Sequence, residues 1–126
     1  MQDNPQPQEI VAVVSAMLRD TILPQLEGRA TFDLRVAINA LQLVARQLTH
    51  ADASNAAELE RLKALLGKDG DLATLNHALS QTIEAGILTL DDPKLREHLW
   101  ATTMDKLKID QPSYAAYAAE LKAEQT

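Results

Sequence analysis

The feature that most limits what this chain can fold into is the spacing of its apolar residues, which recur three and four positions apart. Ile10, Val14, Met17, Leu18 and Ile22 follow that spacing, as do Leu59, Leu62, Leu65 and Leu66, and again Leu72, Leu75, Leu79 and Ile83. A period near 3.6 lays one apolar stripe along an α-helix, whereas a half-buried strand needs strict alternation. Leu and Ala dominate the apolar set, and β-branched residues do not gather into alternating runs, which favours helix over sheet. The predicted fold class is all-α, an antiparallel helical bundle of about five to six helices joined by short turns.

Proline and glycine divide the chain. Pro5 and Pro7 favour extended backbone, so residues 1–8 read as a flexible lead-in, 9–121 as a single helical-bundle domain and 122–126 as a frayed tail. Pro24 ends or kinks the first helix and Gly28 closes its last turn. In the next helix Phe32, Val36, Ala37, Ala40, Leu41, Val44 and Leu48 cover a broad face, opposed by the narrow polar stripe Arg35, Asn39, Gln42 and Arg46. A helix so widely apolar is expected at the centre of the fold. Residues 49–54 read as a polar break, and Asn55 with Glu58 resembles a capping box opening a new helix. Glu58–Arg61 and Glu60–Lys63 are spaced as i,i+3 ion pairs. Gly67 stops that helix, Asp71 caps the next, and Gly86 ends it. Asp92-Pro93 is a helix start, and Asp110 with Pro112 signals one more. Tyr114, Tyr117, Ala118 and Leu121 are what the last helix has to bury.

The totals exclude several function classes. A chain of 126 residues can bury its own core without disulfides or metal,. The net charge is −6 and only four residues are aromatic (Phe32, Trp100, Tyr114 and Tyr117). Phosphate repels such a field and few rings are present for base stacking, so nucleic acid is not an expected partner. The same charge disfavours an anionic membrane surface. No apolar run approaches the roughly 20 residues of a membrane span. The chain has no cysteine, which removes disulfides, thiolate metal sites and a Cys nucleophile,. Its first residues lack a basic segment followed by an apolar one, so the expected location is cytoplasmic.

Candidate chemistry is sparse, and no catalytic constellation, metal set or cofactor motif emerges. Arg35 and Asn39, one turn apart, can hold a carboxylate or phosphate through charge-assisted hydrogen bonds. They equally suit a solvated helix stripe, or a tie from Arg35 to Asp105 or Glu27. His77 is of the residue type that serves as a general base, but Asn76 beside it points about 100° away on a helix, so the two do not converge. His50, His77 and His98 lack a His or Glu partner at metal-binding spacing. Asp69-Gly70-Asp71 fails the calcium-loop pattern at Leu72, Ala73 and Leu75. Tyr114 and Tyr117 either dock onto a partner or cover the end of the chain's own core. The candidate ligand-binding residues are therefore Arg35, Asn39, Asn76, Asp105 and Tyr114.

Several segments carry a family resemblance. These are Leu23-Pro24-x-Leu26-Glu27-Gly28, Phe32-x-x-Arg35-Val36-Ala37-x-Asn39-Ala40-Leu41, Leu72-x-x-Leu75-Asn76 with Gly86, and Asp105-x-Leu107-x-Ile109-Asp110-Gln111-Pro112-x-Tyr114. Together they resemble a family of small all-helical bacterial domains of unknown function. Members are encoded beside, or fused to, aminoglycoside-phosphotransferase-like kinases and acyl-CoA dehydrogenases. The resemblance implies a context of fatty-acid or acyl-CoA metabolism and a partner enzyme nearby, but it brings no catalytic residue. Two functions are expected from this. One is a non-catalytic accessory or interaction module that binds an acyl-CoA dehydrogenase-like or kinase-like protein, or itself as a homodimer. The other is a binder of a small acyl or phosphate compound through Arg35 and Asn39.

Overall fold

The computed structural model describes residues 3–126, and among these the chain is all-α with no strand. Five α-helices follow in order: α1 (Pro7–Met17), α2 (Arg29–Leu66), α3 (Leu72–Glu84), α4 (Pro93–Asp110) and α5 (Ala115–Glu124). They fall into two compact units, one ending at Ala51 and the other beginning at Asp52.

In the first unit, α1 starts inside the segment expected as a lead-in. Pro7 occupies the first helical turn, where its missing N–H costs nothing,. The Gln6 N–H donates to the Glu9 carboxylate at 2.6 Å. The helix ends through a wide π-type turn, Leu18–Ile22, and a tight turn, Leu23–Gln25. Pro24 supplies the reason: its ring crowds the carbonyl four residues back, and the Leu23 N–H reaches five residues back to the Leu18 carbonyl,.

The expected break over residues 49–54 does not form, and α2 runs unbroken for 38 residues. Residues 49–57 contain neither Gly nor Pro and four of the nine are Ala, so no backbone preference opposes the helix. The Thr49 hydroxyl donates to the Ala45 carbonyl at 2.7 Å instead of leaving the helix,. Asn55 and Glu58 are therefore mid-helix residues and not a cap.

The second unit closes a core. Leu62 of α2, Leu75 and Leu79 of α3 and Leu95 of α4 are buried together, with Leu59, Leu65, Leu66, Leu72 and Leu88 packed around them. The joints follow the punctuation in the sequence. Gly67 and Gly86 hold φ of 61° and 72°, where a side chain would be strained,. Asp71 accepts the Thr74 N–H at 2.7 Å, and that bond holds its carboxyl below the usual carboxylate range. Asp92 accepts the Lys94 and Leu95 N–H groups, with Pro93 in the first turn,. Asp110 departs from expectation: it ends α4 and does not open α5, whose N-cap is Tyr114. Tyr117 of α5 and Ile109 of α4 are buried.

Candidate functional site

The first unit carries a set of exposed apolar residues. Ser15 is the buried residue of α1, at 3% exposure. Ala12, Ser15, Ala16 and Arg19 face Gln42, Ala45 and Arg46 of α2 across a shallow groove. Small residues let the two helices approach. At about 100° per residue, turning Ser15 inward carries Ile10, Val13, Val14 and Met17 outward. This reverses the orientation expected for the stripe Ile10, Val14 and Met17. Val13 is 69% exposed, Phe32 58% and Val36 52%, and Leu43, Val44 and Leu48 of α2 are also open to solvent.

The same helical spacing assigns sides to the α1–α2 hairpin. The groove side carries Arg19, Gln42 and Arg46 among small residues, with Arg35 and Asn39 next to them on α2,. On α1, Ile10, Val13, Val14 and Met17 turn away from Ser15; on α2, Ala37, Val44 and Leu48 lie on the face opposite Gln42 and Arg46, while Phe32, Val36 and Leu43 lie on the flank next to Asn39,. Over the first half of α2, a helix expected at the centre of the fold, Ile38 is the buried residue, at 4% exposure.

The second unit gathers a polar cluster where α2 meets α4. Arg61 does not take its expected partner Glu58. Its Nη2 reaches the Asp105 carboxylate at 3.9 Å and the Thr102 hydroxyl at 3.4 Å. Glu58 accepts from the Asn76 amide at 2.8 Å instead. The expected Lys63–Glu60 pair does form, at 3.5 Å. His98 is buried, and burial followed by the Arg61 charge holds its imidazole below the ordinary histidine range, with Glu58 pulling weakly the other way. Elsewhere in this unit Leu90, Pro93, Leu99 and Trp100 line an open apolar groove.

The residues singled out in the sequence do not assemble into one site. Arg35 and Asn39 are exposed in the first unit and line none of the cavities described here. In the second unit Asn76 is exposed and bonded to Glu58, and Asp105 is half-buried beside Arg61. Tyr114 is 51% exposed at the start of α5. Asp105 does meet an arginine, but the partner is Arg61. Sequence reasoning gave Arg61 only as the ion-pair partner of Glu58 and passed over Val13. Val13 had a signal, since Ile10, Val13, Val14 and Met17 form a complete i, i+3, i+4, i+7 set that excludes Ser15. Among the described residues no group of three or more His, Asp or Glu is placed to hold a metal ion, and no helix is long and apolar enough to cross a membrane.

Residues 24–114 match a family described as a domain of unknown function, DUF6285. The matched span covers α2, α3 and α4, and α1 precedes it. No curated protein and no solved structure matches the chain.

Proposed function

This chain belongs to the DUF6285 family of domains of unknown function, and from that premise we propose that it is a non-catalytic interaction module that assembles with a second copy of itself through the bare side of its α1–α2 hairpin. One observation carries the reading: the apolar residues of that side lie open while the leucines of the second unit are packed away. Ile10, Val14, Val44 and Leu48 are each 40–46% exposed, and Val13 and Met17 of α1 more so. Exposed apolar residues gathered on one side mark an interaction surface. Two antiparallel hairpins laid side to side make a four-helix arrangement, and a two-fold axis lets one surface serve both copies. We assign the assembled pair an accessory role beside an acyl-CoA dehydrogenase-like or phosphotransferase-like enzyme, in keeping with the bacterial families it resembles.

The absence of native cysteine makes the test simple. Single substitutions Val13→Cys, Val36→Cys and Val44→Cys sample the proposed surface, and Gln81→Cys on exposed α3 is the control. Treatment with a bifunctional maleimide at micromolar protein is expected to give covalent dimer from the surface positions and little from Gln81→Cys. Equal yields at all four positions overturn the reading. So does a chain that cross-links only to an added acyl-CoA dehydrogenase-like enzyme.

A further inference from the structure

The Asp69-Gly70-Asp71 segment does not have the pattern of a calcium loop, and of its residues Asp71 is accounted for as the cap of α3. Asp69 is the aspartate of this chain that precedes a glycine. Residues 68–71 join α2 to α3 and lie outside any helix. The Asp69 side chain is 97% exposed, and its contact to the Lys63 ammonium, at 3.8 Å, is too long for a hydrogen bond,. Gly70 is exposed as well, and among the described residues its N–H has no hydrogen-bond partner. A free carboxyl group and a free amide therefore adjoin each other in an exposed loop.

That pairing has a chemistry of its own, because a side-chain carboxyl can react with the amide that follows it. Glycine has no Cβ to obstruct the approach, and its backbone turns freely. Other aspartates of the chain lack one of these conditions. After Asp33, Asp52 and Asp105 the next amide lies inside an α-helix, where it donates four residues back,. Asp92 is followed by Pro93, which has no N–H,. The amide after Asp91 donates to the Thr89 carbonyl at 3.0 Å.

We propose that Asp69 is a modification site, converting to isoaspartate in the folded protein. The Gly70 nitrogen attacks Cγ of Asp69 in its neutral acid form. The amide proton and the carboxyl hydroxyl leave as water, closing a cyclic imide. Water then cleaves the bond from that nitrogen to the main-chain carbonyl carbon of Asp69, returning the proton and the hydroxyl. The main chain now runs through Cβ and Cγ, and the former main-chain carbonyl is a free carboxylate. One water leaves and one enters, so no other reagent is consumed. The link from α2 to α3 gains one backbone carbon two residues before the Asp71 cap.

Prolonged incubation of the intact chain at pH 6 and 37 °C, with its helical circular dichroism monitored, tests the site by tryptic mapping and mass spectrometry. The wild-type peptide carrying Asp69 is expected to split with time into two species of equal mass. The new species is expected to accept a methyl group from an isoaspartyl methyltransferase. Asp69→Glu, an exposed substitution that would need a larger ring, is expected to lose the second species. Peptides carrying Asp33 and Asp105 are expected to stay single. A synthetic peptide of residues 66–74 supplies the rate for an unfolded loop. The proposal is overturned if that peptide converts while the folded chain does not, or if the helical aspartates convert as fast as Asp69.

Discussion

At position 98 a histidine lies in a helix that otherwise buries Leu95 and Ile109, with the Arg61 guanidinium as its charged neighbour. Burial disfavours the imidazolium, and Arg61 disfavours it further; only Glu58 acts in its favour. The folded-state pKa therefore lies below the ordinary value of 6.5. Between those two values the unfolded chain binds more protons than the folded one, so stability rises with pH across the window. Read downward, stability is full above about 6.5, declines as pH falls towards the folded pKa, and stops declining below it. Melting temperatures measured from pH 7.5 to pH 5 are expected to show this decline in wild type and to lose it in His98→Leu. Parallel curves for the two proteins would place the titrating group elsewhere. In the sequence, His98 was readable only as a histidine lacking a metal-ligating neighbour. What matters about it is its depth, which depends on how α4 turns against α2.

Helix ends are governed by local chemistry, and there the sequence was readable. Asp71, Asp92, Pro93, Gly67 and Gly86 all stand where their capping and turn preferences put them. Asp92→Ala removes the acceptor for the Lys94 and Leu95 N–H groups and is expected to cost about 1 kcal/mol, measured by urea unfolding,. A loss near zero would show that the first turn of α4 is capped by other means. Failures arose where a local signal had to compete with helix continuity or packing. Asn55 with Glu58 has the spacing of a capping box, but the alanine-rich stretch before it propagates helix more readily than it stops. Asp110 resembles a cap, yet the last turn of α4 includes it. In α1 the periodicity identified the helix but not which side faces inward. Small Ser15 is the buried residue and the larger aliphatic residues turn outward. A pattern that assumes the largest apolar residues are buried inverts such a helix. The candidate site was less legible still. Arg35 and Asn39 sit on the polar side of α2 as the stripe required, but no enclosing wall accompanies them.

For the whole molecule the governing contrast lies between the two units. The second packs Leu62, Leu75, Leu79 and Leu95 into a closed core, as a chain with 46% apolar residues can. The first keeps Ile10, Val14, Val44 and Leu48 in water along one side of a helical hairpin. Burying such a side is the dominant favourable term in most protein association. A net charge of −6 per chain opposes self-association at long range, and salt screens that repulsion,. Added salt should therefore strengthen the assembly. Sedimentation velocity across a dilution series tests the central claim most directly, with wild type beside the double variant Val14→Lys/Val44→Lys. Wild type is expected to sediment as a dimer at micromolar concentration and to dissociate on dilution. The double variant is expected to remain a monomer with an unchanged helical circular dichroism spectrum. A wild-type chain that is monomeric at every concentration, or a double variant that dimerises as wild type does, would contradict the account.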